Sequence, residues 1–445
     1  MRVPQKNRSA SGYLELVGGN RNYRMLWLGQ IVSLLGDWFN LIASASLIAS
    51  LTQSGVAVGG LFVVRMLAPF LVSPIAGVAA DRYNRKRLLI FTDILRAATV
   101  LGFLLVRRPE HVWLLYTLTA VQLGISGFFF PTRNAILPDI VSRAELGAAN
   151  ALSSATWSVM LAFGAAIGGL VSGLFGVYPA FVIDALTFLA SALILAQIAY
   201  DHQPGLADSD RSVAAGFRQY IDGLRYLWQH KDYLVIALQK GAYALAVVGG
   251  FQVVQVALAE QVFVIGENGG IGLGLMYAAM GVGTGIGPIA ARYFTGDRDR
   301  PLRVAIGISY LIGAAGLALM APLISFPVVL IGTVLRGIAG GIGWVFATQL
   351  LLQLVPDKVR GRVFSTEFAL FTLLNATSAA GGGWLLDNTT LDLSGMLWLM
   401  AGLVLVPGVL WTLWHLLKPG ATTPAAGIES GETAEAAGSP ASGGA

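Results

Sequence analysis

The sequence predicts an all-α membrane protein of twelve transmembrane helices, arranged as two pseudo-symmetric six-helix bundles. Three observations point there. Of 445 residues, 55% are hydrophobic and only 12% charged, whereas a soluble globular protein carries about 25% charged residues. The apolar residues fall in runs of roughly 20, the length that crosses a bilayer as a helix. The second half of the chain repeats the organisation of the first.

Apolar runs read against charged interruptions place helices at 25–51, 56–80, 88–106, 112–130, 150–175 and 178–200. The second ends at the basic loop around Arg82, the third at Arg107 and Arg108, and the sixth at the polar interval 201–230. Six more follow at 233–263, 271–294, 302–323, 326–354, 363–386 and 395–417. The chain therefore divides into an N-terminal segment 1–24, a bundle 25–200, a linker 201–231, a second bundle 232–417 and a tail 418–445. Within the linker, Phe217, Ile221, Leu224 and Leu227 recur at helical spacing and predict an amphipathic surface helix. The tail is Pro, Gly, Ala, Ser and Thr with a few Glu, a composition that cannot bury enough apolar surface to order itself.

Basic residues set the orientation. Arg2, Lys6, Arg8, Arg21 and Arg24 fall on one side with Arg82, Arg85, Lys86, Arg87, Arg133, Arg143, Arg298, Arg303, Lys358, Arg360 and Arg362, against Arg107 and Arg108 on the other. Both termini are expected in the cytoplasm. The net charge of +5 is accounted for by these loops, so no nucleic-acid partner is implied. The N-terminus is polar, with no apolar core or cleavage site, and does not read as a signal peptide. Absence of Cys excludes disulfides, thiolate metal sites and Cys nucleophiles. The four histidines lack metal-ligand spacing, and no GxxxxGK[ST] loop argues for ATP-driven pumping. No clustered nucleophile, base or metal set points to an enzyme. GVGTGIG from Gly281 lies in an apolar span with no preceding strand, so it reads as helix packing and not as a dinucleotide loop.

The duplication is visible in PTRNAILPDIVSR after the fourth span and ATQLLLQLVPDKVRGR after the tenth, aligning Pro138-Asp139 with Pro356-Asp357. Parallel repeats of this kind place a substrate site at their interface near mid-bilayer.

The sharpest motif is GVAADRYNRKR between the second and third spans. Gly77 and Asp81 share one face of a helix end, and Arg82, Arg85, Lys86 and Arg87 crowd the short turn that follows. This resembles the signature loop of the major facilitator superfamily, with Asn84 where the family has glycine. Asn tolerates the left-handed conformation expected of such a turn. TGDRDRPLR around Asp297 is a degenerate second copy. The resemblance implies that Asp81, Arg82 and Arg85 form a charge latch between the halves on the cytoplasmic side when the protein faces outward. By the same resemblance Asp93 and Arg96 are further members of that network; a local ion pair is the other reading.

In the fifth span Gly164, Gly168, Gly169 and Gly173 stand at small-xxx-small spacing, which lets backbones approach closely. The stretch resembles the antiporter motif of drug exporters in this superfamily, with Ala165 in place of proline; glycine-mediated packing explains the same residues without implying a direction. NRNYRMLWLGQIVSLLGDWFNLIA from Asn20 resembles the first span of the bacterial branch of macrolide-efflux and siderophore exporters.

Ionisable residues inside spans are functional candidates by default. Asp37 and Arg65 fall at matching depth, and Arg336 is near the midplane, with Lys240 closer to the cytoplasm. By analogy with the cavity-lining spans of the superfamily, Asp37, Asn40, Gln122, Lys240 and Arg336 line the pathway and Asp184 is structural. Asp37 is expected to be a proton-coupling carboxylate, holding its proton when desolvated and losing it when hydrated or beside Arg65. The alternative is a permanent Asp37–Arg65 salt bridge. Glu367 and Glu260 are expected near the interfaces, solvated. The expected protein is a monomeric alternating-access carrier in the bacterial inner membrane, without a cofactor. Driven by the proton gradient, it exports small amphipathic or lipophilic drug-like molecules in exchange for protons. A siderophore or metabolite exporter of the same fold is the alternative, and a non-transporting membrane scaffold the remote one.

Overall fold

The computed structural model describes residues 11–142, 145–200 and 213–417. The N-terminal basic residues up to position 10, Arg143, the linker's first part and the tail expected to be disordered lie outside the described residues.

Long apolar segments without water to satisfy their backbone must bond internally, and they do so as helices. A short α1 (Ser11–Gly19) precedes the first span. The first bundle comprises α2 (Arg21–Thr52), α3 (Gly55–Arg82), α4 (Arg85–Leu101), α5 (Val112–Ile140), α6 (Leu146–Val159), α7 (Ala165–Phe175) and α8 (Val177–Ala196). A π-helical turn, Met160–Gly164, joins α6 to α7 as one span. After α9 (Val213–Gln229), the second bundle comprises α10 (Lys231–Tyr243), α11 (Gly249–Ala257), α12 (Gly270–Thr295), α13 (Asp299–Met320), α14 (Phe326–Leu354), α15 (Asp357–Asn388) and α16 (Leu393–Leu417). Here α10 and α11 form one span through the π-helical turn Ala244–Val248.

Among the described residues eleven segments are long and apolar enough to cross a membrane. The twelfth helix, α15, has 32 residues, about 48 Å at 1.5 Å per residue, and packs against α3, α10 and α11. Its polar side chains Thr366, Glu367, Thr372, Asn375 and Ser378 are buried. Its polarity faces the protein interior, so it crosses with the others.

The two ends of the bundle differ. The end where α2 begins and α16 finishes is here termed the termini face, and the other the far face. At the far face the halves are sealed. Glycine lets α3 and α15 meet backbone to backbone: a Cβ on Gly59 would lie 2.6 Å from the Ala379 carbonyl oxygen, and one on Gly383 would lie 2.3 Å from that of Gly55. The Asp387 carboxylate, at the end of α15, caps the start of α3. It accepts from Ser54 Oγ at 2.6 Å, Gly55 N at 2.7 Å and Val56 N at 2.9 Å. A second seam joins α7 to α12, where a Cβ on Gly169 would lie 2.6 Å from Gly274 Cα.

Several local expectations change. The fourth span continues to Ile140, so Pro138-Asp139 lies in the last turn of α5, whereas Pro356 is the N-cap of α15. The aligned pair thus occupies different positions in the two repeats. Asn84 is not left-handed: with φ −60° it is the N-cap of α4, its side chain accepting from Arg87 N at 3.1 Å. In α9, Leu227 is buried while Ile221, Leu224 and Trp228 turn outward; the side chain of Phe217 lies outside the described residues.

Candidate functional site

On α2, Ser33 and Asp37 are one turn apart and share a face. On α4, Asp93 and Arg96 do likewise. Both helices pack on α8, and Arg96 bridges them. Its guanidinium reaches Asp37 at 2.5 Å, Asp93 at 3.3 Å and Ser33 Oγ at 3.0 Å, and it stacks on Phe188 of α8 at 3.9 Å. Arg96 and Asp93 are buried, but the Asp37 side chain remains 26% exposed at mid-helix. Asp37 is therefore the one member of the trio that is left partly exposed.

This arrangement departs from the alternative reading of Asp37, a permanent salt bridge to Arg65. Asp37 is held by Arg96, and Arg65 forms no ion pair with it among the described residues; Arg65 Nη1 is buried without a hydrogen-bond partner. Arg65 does sit within electrostatic range of Asp37 and Asp184. Asp93 and Arg96 likewise join an intramembrane cluster and not the loop network at the helix ends. Asn40, Gln122 and Asp184 are buried, with the Asn40 side chain set against the Asp184 carboxylate.

The signature loop is tied within its own bundle. Arg85 bonds Asp139 of α5 at 2.6 Å, and Tyr200 donates to the same carboxylate at 2.7 Å. Burial and this carboxylate push the Tyr200 phenol up to about 12. Arg82 and Arg87 are exposed and Lys86 half-buried, while the side-chain positions of Gly77 and Asp81 lie outside the described residues. In the second half Asp297 is bonded by Gln349 at 2.7 Å and by Arg292 at 3.0 Å, which hold its carboxyl below the usual range.

The glycines of the fifth span divide by face. Gly164 and Gly168 meet Trp38 and Phe39 of α2, whereas Gly169 and Gly173 meet α12 of the other bundle. GVGTGIG packs on α14: a Cβ on Gly283 would lie 2.2 Å from the Val334 carbonyl oxygen. Arg336 is buried over Phe251 at 4.0 Å and beside Met280 Sδ at 3.0 Å, with no carboxylate ion pair among the described residues.

A feature the sequence reading missed lies in the second bundle. Lys240 of α10 pairs with Glu367 of α15 at 2.9 Å, and Lys240 Nζ donates to Thr348 Oγ1 at 2.6 Å. Glu367 is 3% exposed and not solvated. The helix begins at Asp357, two turns earlier than the apolar run suggests, which carries Glu367 about 15 Å in. The pair opens on a recess of about 300 Å³ walled by Trp344, Phe364, Phe368 and Phe371. Glu260, also expected to be solvated, is partly buried in a π-helical turn with Oε1 unpartnered.

Residues 26–323 match the Major Facilitator Superfamily profile. The chain is 28% identical over 403 residues to an uncharacterized MFS-type transporter, YfiS, of Bacillus subtilis (strain 168), covering 86% of this chain and 92% of the relative. It is 24% identical over 358 residues to BacE of Bacillus amyloliquefaciens, a proposed bacilysin exporter, covering 80% and 87%. The solved nucleoside transporter NupG superposes with TM-score 0.70 at 13% identity, covering 88% of this chain and 99% of that one. A bacterial homologue of the iron transporter ferroportin in its inward-facing state gives TM-score 0.66 at 15% identity, covering 88% and 98%. At such identities the two structures speak for the fold.

Proposed function

We propose that this chain, which belongs to the major facilitator superfamily, is an exporter of small amphipathic or lipophilic compounds that exchanges them for protons by alternating access. It is a multi-pass membrane transporter, and the direction and coupling are the proposal. The observation that carries it is the stoichiometry of the Arg96 cluster: two carboxylates, Asp37 and Asp93, share one guanidinium. With Asp184 and Arg65 in electrostatic range, three carboxylates face two guanidinium groups, so the set carries one negative charge too many, and buried charge is costly unless neutralised. A proton on Asp37 supplies the neutralisation, and Asp37 is the member left partly exposed.

With both termini in the cytoplasm of a bacterial inner membrane, the sealed far face is the outer one and the described state is inward-facing. Asp37 then gives its proton to cytoplasmic water and closes on Arg96. After the transporter turns outward and releases its cargo, Asp37 takes a proton from outer water, and Arg96 remains paired with Asp93. The similarity to a protein named as an exporter supports the outward direction. The carrier works as a monomer and uses no cofactor beyond the proton gradient.

The test is proton movement in proteoliposomes with an imposed pH gradient, screening lipophilic cations, macrolides and catechol compounds, with Asp37→Asn beside wild type. A substrate-dependent proton signal that disappears in the variant is expected. Solute movement with no proton signal in wild type would overturn the coupling, and an unchanged signal in Asp37→Asn would overturn the role of Asp37.

A further inference from the structure

Lys240 apart, the recess between α10, α14 and α15 presents only acceptors to whatever fills it. Thr348 commits its hydroxyl proton to the Trp344 carbonyl at 2.8 Å, so its oxygen is left to accept. Glu367 supplies a buried carboxylate. Its Oε1 pairs with Lys240 Nζ at 2.9 Å, and a carboxylate oxygen keeps lone pairs for a second donor. The Trp344 ring offers its negative face, with Lys240 Nζ 4.4 Å above the centroid, and cations favour that face. Phe371 stands edge-on to Trp344 at 5.0 Å, and with Phe368 it supplies apolar wall. This is a site for an ammonium group bearing N–H donors on an aromatic or aliphatic body.

Lys240 already occupies it. We propose that Lys240 is a tethered stand-in for a primary or secondary amine substrate, whose ammonium displaces Nζ from Glu367, Thr348 and the Trp344 face. The exchange is neutral in charge: one cation leaves Glu367 as another arrives, and the released lysine swings away on its flexible stem. α15 also packs on α3, so the recess lies on the side of the second bundle that faces the first. A quaternary ammonium lacks the N–H that Thr348 and Glu367 call for, and an anion meets only acceptors. After release, Lys240 returns and competes with rebinding.

The inference rests on the transport reading for its biological meaning, but equilibrium binding to the purified full-length chain tests it separately. The probes are phenylbutylammonium, phenylbutyltrimethylammonium and phenylbutyrate, titrated at about pH 8.5, where the amine keeps its proton and a lone carboxylate ionises more readily. Wild type is expected to prefer phenylbutylammonium over both others. Lys240→Met removes the internal competitor, so phenylbutylammonium binding should tighten by about tenfold or more, and adding Glu367→Gln in the same chain should abolish it. Lys240→Gln serves if Lys240→Met does not fold. Weaker or unchanged ammonium binding in the lysine variants, or phenylbutyrate binding lost with Lys240, would overturn the proposal. Ammonium binding that follows the expected pattern while proteoliposomes move no solute would leave this site standing and sink the transport reading.

Discussion

Replacing Asp387 by Ala removes the acceptor for three donors at the start of α3, Ser54 Oγ, Gly55 N and Val56 N, all within 2.9 Å. These bonds join the two bundles, so the substitution acts on the far-face seal more than on either bundle. Hydrogen bonds to a charged group contribute about 1.5–3 kcal/mol each when desolvated, but Asp387 is exposed and screening reduces that. The better guide is removal of a helix cap, about 1–2 kcal/mol in total, which lowers the closed-to-open ratio by about 5- to 30-fold. Asp387→Asn keeps an acceptor oxygen and loses only the charge at a helix N-terminus, about 0.3–1 kcal/mol. Because the chain has no Cys, spin labels at Trp113→Cys and Ile324→Cys report cleanly. Both positions are on the far face, one in each bundle, and 65% and 73% exposed. Pulsed dipolar spectroscopy should show a long-distance population that grows from wild type through Asp387→Asn to Asp387→Ala. An unchanged distribution in Asp387→Ala would mean that the cap does not hold the seal.

Four further outcomes are expected. Arg96→Gln leaves the buried Asp93 and the half-buried Asp37 without their guanidinium and should cost about 3–5 kcal/mol, read as loss of the folded species in detergent thermal melts. Asp37→Asn should cost far less, because Asp93 at 3.3 Å still pairs Arg96. Gly169→Ala drives a methyl into the backbone of Gly274, whereas Gly381 has open space around it. The first should therefore widen the far-face distances, and Gly381→Ala should leave them unchanged with a slightly raised melting temperature. Gln349 and Arg292 hold the Asp297 carboxyl below its usual range, so its contribution is present above about pH 4 and fades as the pH falls through the lowered folded value. Asp297→Asn should thus lower the melting temperature at about pH 7 and leave it unchanged at about pH 2.

Helix number and order were legible because bilayer thickness imposes a length on apolar runs, and that signal survives without any neighbour. α15 shows where it thins: Glu367, Asn375 and Ser378 dilute the run because they face inward. The helix's start was hidden by the charged stretch DKVRGR from Asp357, which reads as a loop, and with it the depth of Glu367. Depth along a helix can be counted from sequence, which is why Asp37 and Arg65 were matched. Which way a side chain points around the axis, and which helices share a third as a common neighbour, cannot be counted. Arg96 reaches Asp37 only because α2 and α4 both lean on α8, and Lys240 reaches Glu367 across a sequence separation of 127 for a similar reason. The glycine seam was visible as spacing, but not that Gly164 and Gly169 face different bundles. Nothing in the residues around Asp387 announces a cap on a helix in the other half, since the donors it serves are backbone groups.

The two bundles carry ionic sets of different balance, and that difference bears on coupling. In the first, three carboxylates face two guanidinium groups, so protonation changes the set from charged to neutral. In the second, Lys240 and Glu367 balance one to one, so a proton gained there would leave an unpaired cation in the interior, which is the costly outcome. The proton and a cationic cargo therefore have no reason to compete for the same carboxylate. Their exclusion must pass through the contact between bundles, where Trp38, one residue from Asp37, stands edge-on to Tyr277 of α12 at 5.6 Å. On this argument Tyr277→Leu should leave ammonium binding and the Arg96 cluster intact yet loosen the ratio of protons to solute moved. A variant that transports with unaltered stoichiometry would place the coupling elsewhere in the seam.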